Sequence, residues 1–179
     1  GKGGEYRTYR LSFPYIVSIF LFFHGSLEEM RVYYRPAPIQ ATGDPLFISN
    51  LWNVQADPGK PSACRACLRG RPLDLWEHPL ADQIALILDY FWSTGFNTDI
   101  PGSCFERART LDPRISSLEA WESASEADPL FSLHIPWEKL ESTAGEAIDN
   151  LVESGPQPRQ AIADVSGLAS LMYRISESK

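Results

Sequence analysis

An α+β fold is predicted for this chain, an antiparallel β-meander packed by helices, and two patterns carry the prediction. The apolar, β-forming runs fall in the first fifty residues, whereas the first strong helical periodicity begins at residue 81. No strand–helix alternation of the kind that builds a parallel sheet intervenes, so the helices are expected to pack on an antiparallel sheet. The 179 residues suit one domain. A domain of this size buries roughly 70% of its unfolded surface and needs no staple. Residues 1–100 are expected to hold the sheet, a long loop and the first helix, and residues 101–179 a helical C-terminal part.

Residues 6–10 read as a short edge strand. Residues 16–23 (IVSIFLFF) form a continuous apolar run of strand length. Apolar residues at both parities imply burial on both faces, hence a central strand. The wider segment 11–23 follows Lys2, Arg7 and Arg10 and superficially resembles the core of a signal peptide. Its Pro14, its aromatic and β-branched content and the lack of a small-x-small site favour a strand. It is also shorter than the roughly 20 residues that span a bilayer. His24-Gly25-Ser26 is turn chemistry, and residues 29–35 (EMRVYYR) complete a hairpin. Pro36 and Pro38 end that strand, because proline donates nothing to a ladder. Residues 46–48 read as one more short strand.

Residues 50–79 are rich in Pro, Gly and Asn and lack periodicity. Long loops inside compact domains usually have a role. Trp52, Leu68, Leu73, Leu75 and Trp76 lie in this one, so it is expected to be ordered and packed on the sheet. Residues 81–93 (ADQIALILDYFWS) place Ile84, Ile87, Leu88 and Phe91 on one helical face. Gly95 is expected to end that helix in the left-handed conformation. Residues 117–126 predict a short helix. Pro136 is expected to open a helix over 137–154, closed by Gly155-Pro156. A last amphipathic helix is predicted over 158–177. The final two helices are expected to complete the core or to dock a partner.

The formal net charge is −7. An acidic surface repels phosphate backbones, so nucleic acid is not expected as a partner. Two arginine groups, at 65, 69 and 71 and at 107, 109 and 114, read as solvated charge or as a local site for an anion or acidic partner. Three cysteines do not make a disulfide framework, which suggests a reducing, cytoplasmic setting. No phosphate-binding glycine loop, dinucleotide fingerprint, Ser-His-Asp order or zinc-protease motif occurs, and no cofactor or membrane partner is implied.

Chemistry is best sought at Cys64-Arg65-Ala66-Cys67. Three readings stay open from the residues alone. Both thiols could be small hydrophobes of an ordered loop. They could supply half of a zinc site, with His78 and Cys104 as the only further candidates. Or Cys67 could be a reactive thiolate, since Arg65 and Arg69 flank it and positive charge favours the anion. Such a thiolate on a loop can attack a carbonyl and carry an acyl group.

The order Tyr34-Arg35-Pro36-Ala37-Pro38, Asn50-Leu51-Trp52-Asn53-Val54, Gly59, Cys67-Leu68, Trp76, Pro79-Leu80 and then a helix resembles ubiquitin-conjugating enzymes. It is more similar still to a divergent prokaryotic branch of that family, the PRTRC system protein B-like chains. There an Asn-Val precedes a Gly and a Cys, and a helix ends near an aromatic pair, as at Phe91-Trp92 here. The resemblance covers residues 6–99. It implies Cys67 as the thioester-forming nucleophile and Asn53 as the amide that steadies the oxyanion. Trp52, Arg65, Arg69 and Trp76 are then candidate binding residues. It also implies protein partners: a ubiquitin-like modifier and an activating enzyme. Leu51 and Trp52 stand where the family has histidine and proline, the gap from Asn53 to Cys67 is long, and Cys64 is an extra thiol. The alternative expectation is a non-catalytic structural or adaptor subunit of a larger plasmid, phage or defence assembly.

Overall fold

The computed structural model describes residues 7–57, 59, 63–68, 75–96 and 104–155, with Trp76 and Cys104 described in their backbone only. Four antiparallel strands form one sheet in the order β1-β2-β3-β4: Tyr15–Phe23, Ser26–Arg35, Pro45–Ile48 and Lys139–Thr143. Four α-helices accompany it among the described residues: α1 Leu80–Ser93, α2 Cys104–Leu111, α3 Leu118–Ala127 and α4 Ala144–Ser154. The α+β class is therefore as predicted.

The hairpin is the longest element pair. Its register runs from Tyr15↔Arg35 to Phe23↔Ser26, with one irregularity at Leu21/Phe22. His24 (φ 48°) and Gly25 (φ 77°) form the two-residue loop. Positive φ at both positions twists the chain in the sense that the flanking strands need. β2 stops at Arg35, before Pro36. The buried Arg35 guanidinium then donates to the carbonyls of Ala37, Pro38 and Pro45 and pairs with Asp44 at 3.2 Å. One arginine thereby ties the proline-rich connection to the start of β3.

The strands alternate between two cores, because successive side chains point to opposite faces. Met30, Val32 and Tyr34 join Ile87 and Phe91 of α1, Ala108 of α2 and Trp121 of α3 in the larger cluster. Tyr33, Leu46 and Ile48 face the other way, onto Ala144 and Ala147 of α4. Residues 7–14 form no strand. They lie along α3 instead, where Tyr9 Oη donates to Glu119, the Arg10 N–H donates to Glu122 and Trp121 Nε1 donates to the Ser12 carbonyl at 2.9 Å.

Several sequence expectations are corrected. The apolar run of β1 is two-faced as predicted, but β1 is an edge strand and its interior is half-buried rather than sealed. The described part of 6–10 pairs with no strand. Residues 139–143 of the expected 137–154 helix are β4, so the C-terminal part is not wholly helical. A helix there would leave the outer edge of β3 unpaired. Pairing Pro45↔Thr143 and Phe47↔Lys139 satisfies that edge instead. The helix begins only at Ala144, after the N-cap Thr143, whose side chain and Glu146 form a reciprocal capping box. The end of α1 is made by Thr94 in extended conformation, its N–H and hydroxyl both on the Tyr90 carbonyl, and Gly95 is not left-handed. The predicted helix over 158–177 lies outside the described residues.

Candidate functional site

β2 has ten residues and β3 four, and β3 pairs only with Tyr33 and Tyr34. The edge of β2 at residues 30–32 is therefore left for another partner. Residues 64–66 of the long loop take it: the Val32 N–H donates to the Cys64 carbonyl and the Ala66 N–H to the Met30 carbonyl, both at 2.8 Å. Residues 53–55 flank the same segment on its far side. The Gln55 N–H donates to the Arg65 carbonyl at 2.9 Å, the Cys64 N–H to the Gln55 carbonyl at 2.6 Å and the Cys67 N–H to the Asn53 carbonyl at 2.7 Å. The described parts of the loop thus extend the sheet, packed as the sequence suggested, with Leu51, Val54 and Ala66 in the larger core.

This ladder brings Cys67 and Asn53 together as direct backbone partners. Asn53 sits at φ 61°, a conformation asparagine tolerates. It is 8% exposed, and no hydrogen bond engages its side-chain amide among the described residues. Cys67 is an exposed free thiol, and the following Leu68 packs against the core. Trp52, one residue before Asn53, stands against Phe105 of α2 at 5.2 Å, Trp121 of α3 at 6.1 Å and Phe96 at 6.2 Å. Its ring is held by the helices and fixes the start of the ladder.

Cys64 has a different environment. It is fully buried, in the smaller core with Tyr33 and Ala56. Burial pushes its thiol up to about 11, although hydrogen bonds to Ser49 oppose the shift. Its φ of 64° is left-handed. That costs a non-glycine residue about 1–2 kcal/mol, offset by the bonds on both its N–H and its carbonyl. Ser49 helps to seal this corner: its hydroxyl donates to the Val32 carbonyl at 2.6 Å. Burial likewise pushes the neighbouring Tyr33 phenol up to about 12.

The remaining candidates are dispersed. Arg65 is half-exposed and lies 3.8 Å from Glu29, which also holds Arg31 at 2.6 Å. Part of its charge is thereby spent beside β2. His78 is exposed at the start of α1, where its carbonyl accepts from the buried Gln83 amide at 2.8 Å. Arg69 lies outside the described residues. Trp76 belongs to a 3-10 turn, Leu75–Glu77. Among the described residues no group of three or more His, Cys, Asp or Glu side chains is placed to hold a metal ion. Cys64 is sealed while Cys67 is exposed, so the two thiols of the zinc alternative stand in opposite environments.

A cleft of about 1040 Å³ lies on the other sheet face, lined by residues that include Arg31, Tyr33, Ala63, Lys139, Glu141 and Asp149. Neither Cys67 nor Asn53 lines it. Sequence reasoning missed Ser49, Arg35 and Trp121. Only Arg35 carried a signal, as a lone cation between apolar strand residues and prolines. No helix among the described residues is long and apolar enough to cross a membrane. No family model matches the chain, and no curated protein or solved structure matches it.

Proposed function

We propose that this chain is a conjugation-type thioester carrier whose nucleophile is Cys67. The reading is carried by one observation: the exposed Cys67 is hydrogen-bonded through its backbone to Asn53, whose side-chain amide is otherwise unengaged. In this reading the Cys67 sulfur, having lost its proton, attacks the carbonyl of an incoming thioester. A new S–C bond forms, the donor S–C bond breaks, and the donor thiolate leaves with the proton. In the second transfer an acceptor amine attacks, an N–C bond forms, the Cys67 S–C bond breaks, and the leaving Cys67 sulfur takes up the proton that the amine gives up. Both steps pass through an oxyanion, which an Asn53 N–H would stabilise by a few kcal/mol. Cys64 is the poorer candidate, since its buried thiol holds its proton to about pH 11.

The sheet order agrees with a strand meander leading into a catalytic loop and a helix, as the ubiquitin-conjugating family would have. Two features depart from it. The fourth strand arrives after three helices, and Leu51 and Trp52 are packing residues where histidine and proline would stand. These features favour the second reading, a scaffold relative that has kept the loop and lost the transfer, acting as an adaptor in a larger assembly.

The two readings separate in one experiment. The chain is incubated with a ubiquitin-like modifier activated as its C-terminal thioester, and intact mass is measured. The carrier reading expects a thiol-labile adduct that is lost in Cys67→Ser and kept in Cys64→Ala. An adduct that persists in Cys67→Ser rejects the assignment, and no adduct at all leaves the adaptor.

A further inference from the structure

The two edges of the sheet are built differently. β4 is short, and it carries Lys139 and Glu141 at its exposed positions. Short edges and charged side chains are how soluble proteins block strand addition. β1 has nine residues, YIVSIFLFF, with no charge and no proline among them. Its inner edge pairs with β2 along its whole length. Its outer edge makes no hydrogen bond among the described residues. Its surroundings are apolar: Tyr15 is 46% exposed, and beside β1 the helix α4 leaves Ile148 43% and Val152 58% exposed.

We propose that β1 pairs antiparallel with β1 of a second copy of this chain, across a twofold axis near Ile19, and joins two four-stranded sheets into one. The other edge is the poorer surface, because β4 has only five residues and presents Lys139 and Glu141 to solvent. Three features favour a copy over another partner. An antiparallel strand pair is isologous by construction, so one self-complementary strand supplies both halves. The chain has a net charge of −7 and repels its own copy wherever its surface is charged, and the β1 edge is neutral. The size suffices: nine residues span roughly 30 Å, and strand pairing with the side chains of both faces buries on the order of 600 Å² per partner, the lower end for specific association. Ile148 and Val152 extend that area.

Sedimentation equilibrium of the full chain tests the mass directly. A particle of twice the 20.1 kDa chain is expected, returning to one chain in Ile19→Lys but not in Leu130→Lys, a change at an exposed apolar residue outside the sheet, just after α3. A second variant guards against Ile19→Lys simply unfolding. Ile19→Cys in a Cys67→Ser background should form an interchain disulfide on mild oxidation, because facing residues of an antiparallel pair fall within disulfide reach. A monomeric native chain overturns the proposal. So does a dimer that gives no cross-link through residue 19, which would place the contact on another surface. A monomer that instead binds an extended apolar peptide along β1 also overturns it, in favour of strand donation by another protein.

Discussion

Raising the pH should destabilise this protein through Cys64. The folded state holds the Cys64 proton more tightly than the unfolded chain, with the thiol moved from an ordinary 9.0 to about 11 by burial. A raised value in the fold means that its stabilising contribution is complete below about pH 9 and fades as pH climbs towards 11. Two pH units at about 1.4 kcal/mol each give a loss of about 3 kcal/mol, a large part of the stability of an ordinary domain. Tyr33, held up from 10.0 to about 12 by burial, adds a loss of its own from about pH 10 upward, in the native chain and the variant alike. The assay is urea unfolding followed by circular dichroism at about pH 8, 10 and 11, with the native chain beside Cys64→Ala. The variant should start lower, because a packed side chain is trimmed, but should lose much less between pH 9 and 11. A native chain with flat stability across that window would refute the reasoning, as would an identical decline in Cys64→Ala. The same pair of proteins tests thiol assignment, since alkylation at neutral pH should modify Cys67 and spare Cys64 until the chain unfolds.

Asn53→Gly separates the two roles of that residue. Glycine keeps the left-handed backbone at no steric cost, so the melting temperature should hardly move. Loss of the amide should slow transfer to and from Cys67 about 100-fold in a single-turnover assay. Trp121→Ala removes a fully buried ring and the indole bond to Ser12. It should cost about 3–5 kcal/mol in urea unfolding and loosen Trp52, read as increased quenching of tryptophan fluorescence. Gly25→Ala places a side chain at φ 77° and should cost about 1–2 kcal/mol. Gly43→Ala, where an added Cβ meets nothing within 4 Å, should leave stability unchanged.

The hairpin was readable because its information is local. Alternating and continuous apolar runs, a His-Gly turn and a proline stop place β1 within one residue and β2 within three, and the apolar face of α1 and the short helix over 117–126, found as α3, were legible in the same way. The pairing of Cys67 with Asn53 was anticipated only through a resemblance of motif order. No periodicity connects two loop positions fourteen apart. What joins them is the free edge of β2, left open because β3 ends after four residues. Nothing in residues 64–66 themselves announces a strand.

The sequence by itself determined the α+β class, the hairpin and the first helix, because propensity, turn chemistry and amphipathic spacing act over a few residues. Only the tertiary structure decided that residues 139–143 are a strand, that β1 lies at an edge, that Cys64 is sealed and that Cys67 stays in solvent. Each of those outcomes depends on which backbone hydrogen-bonding groups remain unpaired once the rest of the chain has folded. That is a property of the assembled sheet, and no short stretch of residues carries it.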